Sequence, residues 1–452
     1  MPFIRSSQLS YTPKKPSHTS PNRGKVSRRA TEILSIIPHR ILFIMSKLRE
    51  INLANKPAAM HTLFMGSSIR AIAACPIGLE KVLAHDLAHL GYHDVGRSAG
   101  RVFFNVREQS LTEDLARANI GLRTADRVLL VAGEFKAFDF DGFYQGVFSI
   151  PWECFCTKET KVVIERVRLQ YCVLHSQATL QSMAQKSIYA SLMQRFHIRT
   201  MPETGNTLEV RIYGDNNWWQ IVVDTSGEAL SKRGYRRLTH MAPLKETIAA
   251  SMLFLAGWSR ARPLIDPFCG SGTIAIEAAL YACNVAPGLR RRFAFESFPS
   301  IDSNKIEDVR IAFRGQARKD IRADIRASDI DKDALALARK NATIAGISEF
   351  VNFAQVDARN IVPLGSRGVL LANPPYGQRM GSADKALSLY KELGPILERF
   401  LEAGWDCGFL SSISSFGDAV GITPVSVREI VSGQEKIYFN WFSGTEGLKA
   451  QS

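Results

Sequence analysis

Asn373-Pro374-Pro375-Tyr376, at the end of the apolar run Leu370-Leu371-Ala372, has residue types that suit one kind of chemistry. The two prolines forbid helix and remove two backbone donors. What remains at the turn is a set of acceptors, the Asn373 side chain and the carbonyls, beside the flat ring of Tyr376. Such a turn suits a planar group whose exocyclic amine must be held by acceptors. A plain turn after a buried strand, with Tyr376 in the core, is the competing reading of these four residues alone. A second motif stands well upstream. Asp266-Pro267-Phe268-Cys269-Gly270-Ser271-Gly272-Thr273 closes a short apolar run and opens an Ala-rich stretch. This is the strand, tight loop and helix start that nucleotide-binding α/β folds use. Gly270 and Gly272 let the backbone approach a ligand closely. A phosphate-gripping P-loop is excluded, because no Gly-Lys-Ser/Thr follows. Alone, the Gly loop reads equally well as a plain strand-to-helix turn.

The elements that must position these motifs are legible from periodicity. Ile69 to Cys75 reads as a strand, and Leu79, Val82, Leu83, Leu87 and Leu90 follow at helical spacing up to Gly91. Arg101 to Val106 alternates as a strand does. A helix through Leu111, Leu115, Ala118 and Leu122 leads to a strand at Arg127–Val131. Leu180 to Phe196 is a helix, Trp219 to Asp224 a strand, and Pro243 to Ala256 a helix stopped by Gly257. After the Gly loop, a charged insertion over 289–323 precedes a strand at Ile325–Asp329. Asp331 is placed to cap the helix that begins at Lys332 and stops at Gly346. Strands at Val351–Val356, Gly368–Ala372 and Cys407–Ser411 follow, with a hairpin from Val425 to Phe442.

Composition narrows the class. The chain has 452 residues, 46% hydrophobic and 22% charged, as in a globular protein of two or three domains. Its formal net charge of +14 favours an anionic partner, nucleic acid first. That charge is uneven: residues 1–50 alone carry ten Lys/Arg against two Asp/Glu. Residues 1–65 cannot build a core and read as a disordered basic extension. An RNA-binding arm, a targeting segment, or sequence ahead of a later start at Met45, Met60 or Met65 are the options there. Seven cysteines stand without a Cys-x-x-Cys pair, so metal-ligand spacing is absent and reduced thiols are expected. No apolar run reaches the ~20 residues of a membrane span. The most basic run outside the extension is Lys232-Arg233-Gly234-Tyr235-Arg236-Arg237, which suits phosphate contact plus stacking.

The Gly loop followed by Asn-Pro-Pro-Tyr resembles the class I S-adenosylmethionine-dependent methyltransferases that modify exocyclic amines of bases. Ala118-Asn119, Leu122-Arg123-Thr124-Ala125, Phe138, Phe140, Phe143, Tyr144 and Ile150-Pro151-Trp152-Glu153 look like a THUMP module with its ferredoxin-like companion, an RNA-binding unit. From about Arg233 onward the likeness narrows. Lys232 to Arg236, Ala242 to Glu246, the Gly loop, Ala286-Pro287-Gly288, Phe293 to Glu296 and Asn373 to Gly377 fall in the order of the N-terminal half of the bacterial 23S rRNA guanine-N2 methyltransferases.

This resemblance implies an α/β fold, with a Rossmann-like class I methyltransferase domain preceded by an α+β ferredoxin-like/THUMP RNA-binding module. The implied borders are 66–109 for the ferredoxin-like module, 110–225 for THUMP, 226–260 for a basic linker and helix, and 261–445 for the methyltransferase. It implies S-adenosyl-L-methionine as cofactor, held by Asp266, Phe268, Gly270, Gly272, Thr273, Asp329, Ile330, Asp357 and Ala358. Asp329 would accept both ribose hydroxyls, although it lies far beyond the ~20 residues usual after such a loop; the charged insertion accounts for the excess. Asp357 would accept from the adenine amino group. Asn373, Pro374, Pro375 and Tyr376 would hold a base taken out of its stack, and Lys232, Arg233, Tyr235 and Arg236 would touch RNA.

The implied partner is 23S rRNA or a large-subunit precursor, in the cytoplasm, with no membrane and no metal, the oligomeric state being left open. Cys269 could be a nucleophile, as in base-carbon methyltransferases, but a small residue packed behind the loop is the expectation. Larger relatives carry a second methyltransferase domain making 7-methylguanine; that activity is not expected of a chain stopping at Ser452. Guanine in tRNA, adenine N6, and a non-catalytic assembly factor are the alternative functions.

Overall fold

The computed structural model describes residues 68–444 apart from 94, 237–243 and 376–382. The expected basic extension 1–65, Arg237, Ala242-Pro243, Tyr376-Gly377 and the end of the methyltransferase span at 445 therefore lie outside the described residues.

The first half runs β1 (Ser68–Ala74), α1 (Glu80–His89), β2 (Gly96–Ser98), β3 (Arg101–Arg107), α2 (Leu111–Gly121), β4 (Arg127–Lys136), α3 (Phe140–Phe148), β5 (Lys161–Gln170), α4 (Gln177–Phe196), β6 (Thr207–Asp215) and β7 (Trp218–Asp224). All seven strands join one sheet, in the order β2-β3-β1-β4-β7-β6-β5. Every pair is antiparallel except β5 with β6. Alternation puts Ala71, Val102, Phe104, Val128, Leu130, Val210 and Val223 on one face, inside the main core. The opposite face carries a small cluster of Ile72, Leu129, Val131 and Val222. The modules on either side of residue 110 thus share one sheet.

The second half runs α5 (Glu246–Leu255), β8 (Leu264–Asp266), α6 (Thr273–Ala282), α7 (Ser303–Gln316), β9 (Ile325–Asp329), α8 (Lys332–Ala345), β10 (Asn352–Gln355), β11 (Val369–Ala372), α9 (Ala383–Glu402), β12 (Asp406–Ser411), α10 (Phe416–Val420), β13 (Ser426–Ser432) and β14 (Glu435–Ser443). Its sheet has the order β10-β9-β8-β11-β12-β14-β13, parallel through β12 and closed by an antiparallel hairpin. Consecutive strands step outward one way from β8 to β10, then the other way from β11. The order reverses between β8 and β11, where open α/β sheets form their ligand crevice at the carboxyl ends of the strands.

The two halves are sewn together by backbone. Ile77 and Val431 exchange both amide hydrogen bonds at 3.0 Å. Gly288 donates to the Ile120 carbonyl (2.8 Å) and Phe295 to that of Thr225 (3.0 Å). Arg291 donates to the carbonyls of Ala229 and Glu228 (both 2.6 Å), so it clamps the turn after β7. The Ala286-Pro287-Gly288 and Phe293–Glu296 motifs are therefore docking elements. Gly78, next to the bridge, has φ +98°, and a Cβ there would lie 2.1 Å from the Glu429 carbonyl oxygen. Gly78→Ala is expected to destabilise the protein by ~2 kcal/mol or more, through left-handed strain and this clash. Urea unfolding checks it, with Gly91→Ala, where φ is +90° but nothing lies within 4 Å, as the strain-only control.

Candidate active site

The loop after β8 is shaped by its glycines. Gly270 has φ +51° and Gly272, which caps α6, has φ +86°. A Cβ on Gly272 would press on Ala338 of α8 at 3.1 Å, while nothing lies within 4 Å of the Cβ position of Gly270. One glycine thus serves helix packing and the other faces open space. The loop is pinned from β9: Cys269 donates to the Ser328 carbonyl (2.9 Å), and the Asp329 carboxylate accepts from the Gly270 amide (2.8 Å) and the Asp331 amide (3.0 Å). Asn341 of α8 donates to the Ser271 carbonyl (3.1 Å). Asp331 caps α8, accepting from the Asp333 amide, and Gly346 ends it at φ +73°.

Around this loop stand the other expected cofactor residues. Ile330, directly after Asp329, is an apolar side chain left 62% exposed. Phe268 and Thr273 belong to the loop and the first position of α6; Thr273 is buried and Phe268 half-buried. Asp357 accepts from the Arg359 amide and guanidinium (both 2.9 Å), and that guanidinium holds its carboxyl below the usual range. An incoming amino group would share Asp357 with Arg359. Ala358 is buried behind it.

Asp266 is 1% exposed. Its Oδ1 accepts a 3.3 Å bond from the Phe268 amide, but its Oδ2 is buried without a partner. Burial pushes this carboxyl well above the usual range. Directly after the neighbouring strand β11, Asn373 and Pro374 are buried and Pro375 half-buried. The Asn373 Oδ1 is also buried without a partner. β8 and β11 pair in parallel with Leu370 opposite Ile265, so both orphaned acceptors emerge at the same sheet edge, at the switch point. Buried acceptors left unpaired cost free energy, and a donor brought by a ligand would relieve that cost. A cationic or N–H-bearing ligand fits both. Tyr376, the aromatic end of the motif, lies outside the described residues.

Cys269 is 6% exposed, and burial with the Asp266 and Asp329 charges pushes its thiol far up. A thiolate nucleophile is thereby disfavoured, in line with a packed small residue.

The basic run requires a correction. Arg233 and Tyr235 are 3% and 2% exposed, too buried to touch RNA. Arg233 Nε lies 3.5 Å from Glu277 Oε1, its Nη1 donates to the Leu230 carbonyl (2.8 Å), and its Nη2 donates to the Arg123 carbonyl. Tyr235 donates to the same Glu277 oxygen (3.2 Å). Arg236 is turned inward too, donating to Thr273 Oγ1 (2.6 Å). Lys232 alone of the four is exposed, paired with exposed Glu228. Glu277 is what the sequence reading missed, together with Arg123, which donates to the Val285 carbonyl (2.9 Å) from within the core. The available signal was a lone carboxylate in an otherwise apolar helix, Thr273 to Ala282. Such a residue in a buried helix calls for a cation.

Among the described residues, no three His, Cys, Asp or Glu side chains gather to hold a metal ion, and no helix is long and apolar enough to cross a membrane.

Comparison with known proteins gives the same picture. The methyltransferase domain family described as UPF0020, RMKL-like, matches residues 233–437, and the RlmL ferredoxin-like domain matches residues 70–129. YpsC of Bacillus subtilis (strain 168), named provisionally as an RNA methyltransferase, is 34% identical over 82% of this chain and 95% of its own length. Ribosomal RNA large subunit methyltransferase K/L of Shewanella amazonensis (strain ATCC BAA-1098 / SB2B) is 31% identical over 82% of this chain, which spans 52% of that protein. Among solved structures, SMU.472, crystallised with SAH, superposes with a TM-score of 0.75 at 32% identity, covering 84% of this chain and 99% of its own. The sheet order and these matches place the chain in the family of RNA methyltransferases that join an RlmL ferredoxin-like domain to an RMKL-like methyltransferase domain.

Proposed function

We propose that the protein methylates the exocyclic N2 amine of a guanine in 23S rRNA, with S-adenosyl-L-methionine as donor. The observation that carries this is the pair of buried, unpartnered acceptors, Asp266 Oδ2 and Asn373 Oδ1, at the ends of the two strands that flank the switch point. Asp266 suits a cationic amino-acid end of the cofactor. The open space at Gly270 and the exposed side chain of Ile330 suit its nucleoside. Phe268, Gly272, Thr273, Asp329, Asp357 and Ala358 complete the pocket. Bound there, the cofactor supplies a methyl group on an activated sulfonium.

The chain's own work is to present the amine. The N2 amine of guanine is conjugated with its ring and is a poor nucleophile. Asn373 Oδ1 and the Pro374 carbonyl accept hydrogen bonds from its N–H groups and push electron density back to nitrogen; the surplus proton leaves to water after the methyl group has passed from sulfur to nitrogen. The Pro374-Pro375 pair fixes the turn, and Tyr376 stacks on the flipped base. Positioning supplies most of the rate, and no general base is assigned. Residues 66–225 hold the RNA and residues 261–445 carry out the transfer. The substrate class follows the K/L relative, whose name specifies large-subunit rRNA.

Mass spectrometry of nucleosides from purified 23S rRNA and tRNA, with the gene present and deleted, tests this. Loss of N2-methylguanosine from 23S rRNA alone is expected. Loss from tRNA alone would move the substrate, and loss of N6-methyladenosine would move the base, since an Asn-Pro-Pro turn serves either purine.

A further inference from the structure

Arg236 holds a position that its ion pair does not explain. Its side chain is only 10% exposed. Its Nη2 reaches Thr273 Oγ1 at 2.6 Å and the Leu244 carbonyl at 3.2 Å, and Nη1 lies 3.5 Å from Glu246 Oε1. Its Nε is buried and has no partner. The nearest carboxylate is a weak match for it: the contact is long, and Glu246 is itself buried. A buried guanidinium with an idle donor is under-satisfied, and it gains most from a second anion.

The place where it sits also calls for an anion. Thr273 is the first residue of the ten-residue helix α6, directly after the Gly loop. The opening turn of a helix leaves amides unpaired and carries the positive end of the helix dipole. Asp266, with its orphaned Oδ2, opens the same loop and supplies an unmet acceptor. An α-amino acid terminus, an ammonium beside a carboxylate, matches this pair of unmet needs. An RNA phosphate does not, because Arg236 is too deeply buried to reach a polyanion.

We propose that Arg236 anchors the carboxylate at the amino-acid end of the cofactor, while Asp266 takes the ammonium. This rests on the reading that S-adenosylmethionine binds at the Gly loop. It makes Arg236 a binding residue of the cofactor pocket, lent by the linker that follows the RNA-binding half.

Two probes separate this from simple bracing of the loop. S-adenosylhomocysteine carries the amino-acid end, and 5′-methylthioadenosine lacks it. By calorimetry on the full chain, Arg236→Gln is expected to weaken S-adenosylhomocysteine by roughly 10-fold or more and to leave 5′-methylthioadenosine within about twofold. Arg236→Lys is expected to recover part of the loss, since it keeps the charge but not the fork. Equal weakening of both probes, or no change in either, would overturn the assignment. If Arg236→Gln does not fold, Arg236→Lys with the same two probes decides, by whether the loss is confined to S-adenosylhomocysteine. A wild-type chain that binds neither probe would refute the Gly-loop reading itself, a separate result.

Discussion

Asn373→Ala is expected to lower kcat by about 10²- to 10³-fold, the usual cost of removing one hydrogen-bonding group that acts on developing charge. Affinity for S-adenosylhomocysteine is expected to stay within about twofold, because Asn373 follows β11 while the cofactor loop follows β8. Stability is expected to hold or rise. Asn373 Oδ1 is buried with no partner, so the resting protein bears an uncompensated desolvation cost of ~1–3 kcal/mol that alanine removes. A rise of a few degrees in Tm alongside a collapse in turnover would mark a residue kept for chemistry at the expense of the fold. Transfer of labelled methyl groups into unmodified 23S rRNA, calorimetry and thermal unfolding read the three quantities separately. A variant that keeps wild-type turnover would remove Asn373 from the mechanism. One that loses turnover together with cofactor affinity and stability would make it a structural turn residue.

What the sequence made legible was local. Asp331 as a cap, Gly346 as a stop, the glycines of the loop and the hairpin near the C-terminus all follow from a few neighbouring residues and one period. The parallel sheet was readable because three of its short apolar strands run into a polar residue suited to binding, Asp266, Asp329 and Asn373. What failed was the meaning of the run Lys232 to Arg236. Four polar side chains around a glycine look like a solvated or phosphate-binding surface. Arg233, Tyr235 and Arg236 take their partners, Glu277, Arg123 and Thr273, from other elements, one of them more than a hundred residues away, and no window along the chain contains them together. The same limit hid the union of β1–β7 in one sheet. The pairings β1 with β4 and β4 with β7 depend on how helices pack over a distance, and each strand alone reads the same in either arrangement.

The second large effect is expected at that hidden network. Glu277 is 1% exposed on α6 and accepts from Arg233 and Tyr235, with Arg123 packed against Tyr281 beside it. Glu277→Leu would leave the Arg233 guanidinium buried without its carboxylate. Breaking a buried pair from one side costs about 3–5 kcal/mol, because the stranded charge cannot return to water. Burial already pulls the Arg123 pKa down against the help of Glu277, so the loss falls on a group with no slack. Adding Arg233→Met is expected to recover much of the stability, since an apolar pair of similar volume removes the stranded charge as well. Urea unfolding of the two single variants and the double variant measures the coupling. Additive costs would mean that the 3.5 Å approach of Arg233 to Glu277 does no electrostatic work and that the run is held by its carbonyl contacts alone. Strong coupling would carry a functional consequence. α6 begins at the Gly loop, and its buried carboxylate is held by the linker that follows β7. S-adenosylhomocysteine affinity should then fall in Glu277→Leu and return in the double variant, following the helix and not the charge.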